Sequence, residues 1–220
     1  MPPRIALVHA MRASMAPIEA AFARAWPEAH LAQLLDDALP DDLERAGGVD
    51  AAMERRFVAL TRLAVDAGAE GVLFTCSAFG RAIEAARDAA PVPVMKPNEA
   101  MIAAAIARGG PIALLATFGP TLDSMRPEFE AEAARRGVGL DLRTRHVAGA
   151  LAALQAGDAE RHDVLIAEAA ARWGGGASVV ALAQFSMARA AERVAAATGG
   201  TLLTTPDTAV LELRRRLLAG

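Results

Sequence analysis

Short apolar runs alternate along the whole chain with longer stretches rich in Ala, Glu and Arg, and no other feature limits its folds so strongly. The runs are Ile5–Val8, Val72–Phe74, Val92–Met95, Ile112–Ala116, Leu140–Leu142, Val179–Ala183 and Leu202–Leu203. Each is too short for a helix and apolar at consecutive positions, so both of its faces need cover. That is the pattern of a parallel strand between layers of helices. The intervening stretches Pro17–Trp26, Ala51–Ala67, Arg81–Ala89, Asn98–Arg108, Pro120–Arg136 and Asp158–Trp173 read as those helices. Pro17 and Pro120 suit a first helical turn, Asn98 and Asp158 suit N-caps, and Gly68, Gly109, Gly137 and Gly174 suit C-terminal stops. The chain is expected to be α/β with mostly parallel sheet.

The alternation also repeats. Ile5-Ala6-Leu7-Val8-His9-Ala10 matches Ile112-Ala113-Leu114-Leu115-Ala116-Thr117 at an offset of 107, and Val72–Ser77 lies on Val180–Phe185 at an offset of 108. Two strand pairs recurring at nearly one spacing imply duplication. The expected architecture is two pseudo-symmetric lobes, each a mostly parallel sheet flanked by helices, with a cleft between them. Open parallel sheets bind ligands beyond the carboxyl ends of their strands, which draws attention to the loops at His9, Cys76, Thr117 and Gln184.

Composition removes several functions. With 23 Lys and Arg against 26 Asp and Glu, and 4% aromatic residues, the chain has neither the basic surface nor the stacking platforms of a nucleic-acid binder. One Cys cannot form an internal disulfide, and four His with that Cys show no zinc-ligand spacing, so no metal is expected. No apolar run approaches a membrane span, and the N-terminal run is broken by His9 and Arg12 too early for a secretion signal. A cytoplasmic protein with no membrane partner is expected.

Chemistry concentrates in Phe74-Thr75-Cys76-Ser77-Ala78-Phe79-Gly80. A thiol between a strand and a helix N-terminus meets free amides that favour thiolate, which would make Cys76 a base or nucleophile near neutral pH. The same amides, including that of Ala78, with the hydroxyls of Thr75 and Ser77, can hold a substrate carboxylate. A buried apolar cysteine is the plainer alternative. His9, ending the first strand, can pair with the thiol or exchange a proton with substrate, or be satisfied by backbone. Thr117, Thr121 and Ser124 gather where a strand gives way to a helix, as an anion cradle or as capping groups. His146 can reach a loop. Thr204–Asp207 suits capping, Lys96 suits a polar loop, and Asp36-Asp37 and Asp41-Asp42 suit a solvated loop.

Gly71–Ser77, Ile112–Thr117 with Thr121, and Val179–Ala183 leading to Gln184 resemble the aspartate/glutamate/hydantoin racemase superfamily, and the duplicated layout extends the resemblance over essentially the whole chain. It implies two α/β lobes and no metal or pyridoxal cofactor. It also implies a C-terminal helix returning to the first lobe, giving lobes of 1–97 plus 206–220 and 98–205. In such racemases one cysteine from each lobe flanks the substrate α-carbon, one thiolate removing the proton and the opposite thiol returning it. Cys76 matches the first of these. Gln184 stands in place of the second, Phe185 and Ser186 replace the polar Thr and His that often follow it, and His9 stands where an acidic residue is common. The expected function is a cofactor-independent isomerase or racemase-like enzyme on a small carboxylate or cyclic amide, such as an amino acid or hydantoin. Cys76 and His9 would be catalytic, and Thr75, Ser77, Ala78, Thr117, Thr121, Gln184 and Ser186 would bind substrate. The alternatives are a non-catalytic ligand-binding or regulatory member, and a single-cysteine decarboxylase or cis–trans isomerase. Assembly as a homo-oligomer is left open.

Overall fold

The computed structural model describes residues 2–219. Among the described residues eight strands and ten α-helices alternate. They are β1 (Arg4–His9), α1 (Met15–Ala25), β2 (His30–Leu35), α2 (Leu39–Ala46), α3 (Ala51–Asp66), β3 (Gly71–Phe74), α4 (Gly80–Asp88), β4 (Val94–Met95) and α5 (Glu99–Arg108). Then come β5 (Ile112–Ala116), α6 (Gly119–Arg136), β6 (Leu142–His146), α7 (Ala150–Gln155), α8 (Ala159–Trp173), β7 (Val179–Leu182), α9 (Ala191–Thr198), β8 (Thr201–Thr204) and α10 (Thr205–Leu218). One sheet has the order β2-β1-β3-β4 and the other β6-β5-β7-β8, and every pairing is parallel. The two sheets thus carry one topology twice, as the repeat predicts. The chain divides into two compact units, with the breaks after Pro97 and after Thr208.

In the second unit the strands show why consecutive apolar residues are needed. Ile112, Leu114, Ala116, Val179 and Ala181 belong to one core cluster with Met101, Met125 and Phe129. The alternate residues Ala113, Leu115, Val180 and Leu182 belong to another with Ile166, Ala170 and Met187. Each strand therefore feeds two cores, one on each face. In the first unit, Phe57 of α3 stacks on Phe74 at the end of β3, with centroids 4.9 Å apart, and meets Phe79 at 5.1 Å. This aromatic trio lies directly beneath the loop that carries Cys76.

α10 closes the first unit. A Cβ at Gly71 would lie 3.1 Å from Leu217 and 3.2 Å from Leu213, so glycine is what lets this helix lie against β3. The Arg214 guanidinium donates to the Ala25 carbonyl at the end of α1 at 2.8 Å. Thr204 receives the Asp207 amide proton and donates to its carboxylate, which is capping chemistry at the start of α10.

Several local expectations change. The sixth strand is Leu142–His146 instead of Leu140–Leu142, and β2 has no counterpart among the apolar runs. Both are edge strands and half-exposed, so they need no apolar residue at every position. Asp41 and Asp42 are not in a loop. They occupy the first turn of α2, where negative charge suits the helix dipole. Arg56 of α3 bridges Asp36 and Asp42, each at 2.5 Å, and so ties the exit of β2 to the start of α2. Asp158 caps α8 by accepting the Arg161 N–H, whereas the Asn98 side chain makes no capping bond and donates to Glu128. No helix among the described residues is long and apolar enough to cross a membrane.

Candidate active site

The two central strands of each sheet end at the residues singled out above. In the first unit, β1 ends at His9, and β3 runs through Thr75 into Cys76, which leads a single 3-10 turn over Ser77–Phe79. Cys76 is half-buried and packs on the aromatic core. With Val8, His9, Ala10, Leu39, Phe57, Phe74 and Phe79 it lines a niche too narrow for a water molecule. The expected acidic thiol is not what this setting produces. Burial pushes the Cys76 thiol up from its ordinary value, and the Ala78 N–H on the sulfur offsets this only in part. A three-residue turn has few aligned peptides to oppose desolvation.

His9 and Thr75 also differ from expectation. His9 is 0% exposed, with Nδ1 at 2.9 Å from Thr75 Oγ1 and Nε2 at 2.6 Å from Gln33 Oε1. Burial lowers its pKa, against the raising effects of Gln33 and Glu19, so the ring is held neutral. Both nitrogens are engaged inside the unit, one by Thr75 and the other by Gln33. Thr75 is 4% exposed and its hydroxyl is hydrogen-bonded to His9. Ser77 remains half-buried and Ala78 exposed.

In the second unit, β5 delivers Thr117 to the start of α6, and β7 delivers Gln184 to a 3-10 turn over Phe185–Ala190. Here the cradle is already filled. Gln184 Oε1 accepts from Thr117 N–H at 2.7 Å, from Thr117 Oγ1 at 3.0 Å and from Phe118 N–H at 3.2 Å. Three donors on one oxygen are what a carboxylate oxygen would receive at a helix N-terminus. His146, at the end of edge strand β6, donates from Nε2 to the Thr117 carbonyl at 3.2 Å and braces the same loop. Thr121 and Ser124 stand apart from this cluster. Thr121 is buried in α6, and Ser124 donates to the Thr121 carbonyl at 3.0 Å. Ser186 is half-buried in the 3-10 turn. Asp163 accepts from His162 and from Arg189, pinning that turn to α8.

The Asp/Glu/Hydantoin racemase family profile matches residues 9–213. The chain belongs to that family. Among solved structures, this racemase-family chain is similar to an allantoin racemase from Klebsiella pneumoniae, with 20% identity over 99% of this chain and 88% of that one and a TM-score of 0.70. It is similar to a glutamate racemase from Bacillus anthracis, with 15% identity, coverage of 99% and 82%, and a TM-score of 0.72. An arylmalonate decarboxylase shares 16% identity with coverage of 99% and 94% and a TM-score of 0.66. No curated protein matches by sequence. The fold these structures share is the two parallel four-stranded sheets described above.

Sequence reasoning passed over Gln33, which holds His9, and Glu19, which holds Gln33. The available sign was Gln33 itself, one polar residue inside Leu31-Ala32-Gln33-Leu34-Leu35, since a polar group within an apolar strand must find a partner.

Proposed function

We propose that the chain is a cofactor-independent isomerase or racemase-like enzyme acting on a small carboxylate or cyclic amide, with Cys76 as its single reacting thiol. The observation that carries this reading is the placement of the only cysteine at the carboxyl end of β3, half-buried and receiving the Ala78 N–H, in a chain of the racemase family. In the base role the thiol first releases its proton to solvent, a step its burial makes costlier, and the thiolate then takes the proton from the carbon next to the carbonyl. The C–H pair moves into the carbonyl system as an enolate, and the new S–H returns the proton. The chain has no second cysteine to serve as a second base, and an amide such as that of Gln184 neither gives nor takes a proton near neutral pH. Return of the proton by Cys76 alone gives exchange without inversion, and inversion requires solvent to deliver a proton to the other face.

A second reading is favoured by Gln184, whose oxygen fills the cradle in the second unit. It is a ligand-binding or regulatory member that has lost turnover. The test is proton–deuterium exchange in heavy water across amino acids, hydantoins and substituted malonates, with wild type and Cys76→Ala. Exchange or decarboxylation lost in Cys76→Ala supports the enzyme. Ligand binding without turnover, unchanged in Cys76→Ala, supports the binder and overturns the enzyme.

A further inference from the structure

Four side chains of the first unit form an unbroken line from the surface to the residue before Cys76. Glu19 lies exposed on α1, Gln33 in the middle of β2, His9 at the end of β1 and Thr75 just after β3. A carboxylate only accepts, so Gln33 must turn its NH2 to Glu19 Oε1, at 2.9 Å. Its Oε1 then faces His9 Nε2 at 2.6 Å and accepts the ring proton. A neutral imidazole has one such proton, so Nδ1 is bare. Thr75 Oγ1 donates to Nδ1 at 2.9 Å in preference to the Val8 carbonyl at 3.4 Å. For a neutral ring, only this assignment satisfies every member of the line.

We infer that Glu19 and Gln33 are positioning residues that fix the tautomer of His9, and through it the hydroxyl of Thr75 and the set of the adjoining Cys76 loop. The alternative arrangement is equally concrete. With Gln33 turned over, His9 carries its proton on Nδ1, and the Thr75 hydroxyl accepts it and donates instead to the Val8 carbonyl. Glu19 selects between these two states, because only one of them leaves a donor facing its carboxylate. Burial of His9 supports the same assignment, since a ring held neutral must choose one nitrogen. The consequence for chemistry rests on the reading that Cys76 is the reacting thiol, while the tautomer itself does not.

The experiment is nitrogen-15 NMR of the imidazole rings in the full chain near neutral pH, with His9 assigned by its loss in His9→Asn. Wild type is expected to show His9 with a protonated Nε2 and a bare Nδ1. In Glu19→Gln, residue 19 can donate as well as accept, and both nitrogens should move towards intermediate values. Because Cys76 is the chain's only cysteine, its alkylation rate by iodoacetamide reads the same loop without any substrate. That rate should change several-fold in Glu19→Gln and in Gln33→Leu, with the thermal midpoint of Glu19→Gln unmoved. A protonated Nδ1 in wild type, or an identical His9 spectrum in Glu19→Gln, overturns the inference. A shifted tautomer with an unchanged alkylation rate overturns the link to Cys76. Absence of turnover on every substrate class would count against the proposed function and leave the tautomer result standing.

Discussion

Replacing Gln184 by alanine removes the oxygen on which Thr117 N–H, Thr117 Oγ1 and Phe118 N–H converge. The three donors do not suffer equally. Phe118 is 49% exposed, so water can replace the lost partner, whereas Thr117 is 2% exposed and its two donors are hidden. A neutral hydrogen bond contributes about 1 kcal/mol net, and a buried donor left without a partner costs about 1–3 kcal/mol. Gln184 is itself half-buried, so water enters part of the space it leaves. The expected cost is therefore about 1–2 kcal/mol. For a chain of this size, each 1 kcal/mol lowers Tm by roughly 2–4 °C, read by circular dichroism on heating. The vacated donors should then accept an added carboxylate. Acetate or formate should stabilise Gln184→Ala more than wild type, by about 1.4 kcal/mol at ten times its Kd. Gln184→Glu keeps an acceptor in place and should match or exceed wild type at pH 7, an advantage that starts to fade as pH falls below the unfolded glutamate value of ~4.3 and is gone once the folded carboxyl is protonated. A Gln184→Ala protein as stable as wild type and indifferent to carboxylates would refute the cradle as a working set of donors.

Other outcomes follow from the same geometry. Alkylation of Cys76 by iodoacetamide should rise with pH about a midpoint above the ordinary thiol value of ~8.5, because burial disfavours the thiolate; a midpoint below that value would contradict the packing around the sulfur. Phe57→Ala removes the ring that stacks on both Phe74 and Phe79 and should cost about 3–5 kcal/mol in urea unfolding. The Arg215 guanidinium, with Arg216, holds the Glu212 carboxyl down to about 2. Glu212→Gln should therefore lower stability by less than about 1 kcal/mol, because the Arg215 side chain is largely exposed and solvent screens the pair. That difference is complete above the unfolded glutamate value of ~4.3 and disappears as pH falls towards 2. Acid titration of the two proteins checks it.

Much of the fold was legible because burial on both faces leaves a mark on every residue of a strand. The runs Ile5–Val8, Ile112–Ala116 and Val179–Ala183 all became central strands, and their repeat spacing became two sheets of one order. Edge strands β2 and β6 left no such mark, since one side of each meets solvent and residues such as Gln33, Arg143 and Arg145 are tolerated. The loops of interest were also legible as places, because a parallel sheet sends strand ends to one edge. What their side chains do there was not. His9 and Thr75 lie 66 residues apart, Thr117 and Gln184 lie 67 apart, and each pair hydrogen-bonds two of the candidate groups to each other.

The sequence by itself determined the α/β alternation, the duplication and the lone thiol at the end of β3, because periodicity and residue type are properties of the chain. Only tertiary structure decided that Cys76 rests on an aromatic floor whose burial raises the thiol's pKa, that His9 is sealed between Gln33 and Thr75, and that Gln184 fills the donors beside it. Those are matters of desolvation and hydrogen-bond partnership between distant residues, and such energies exist only once the strands lie side by side.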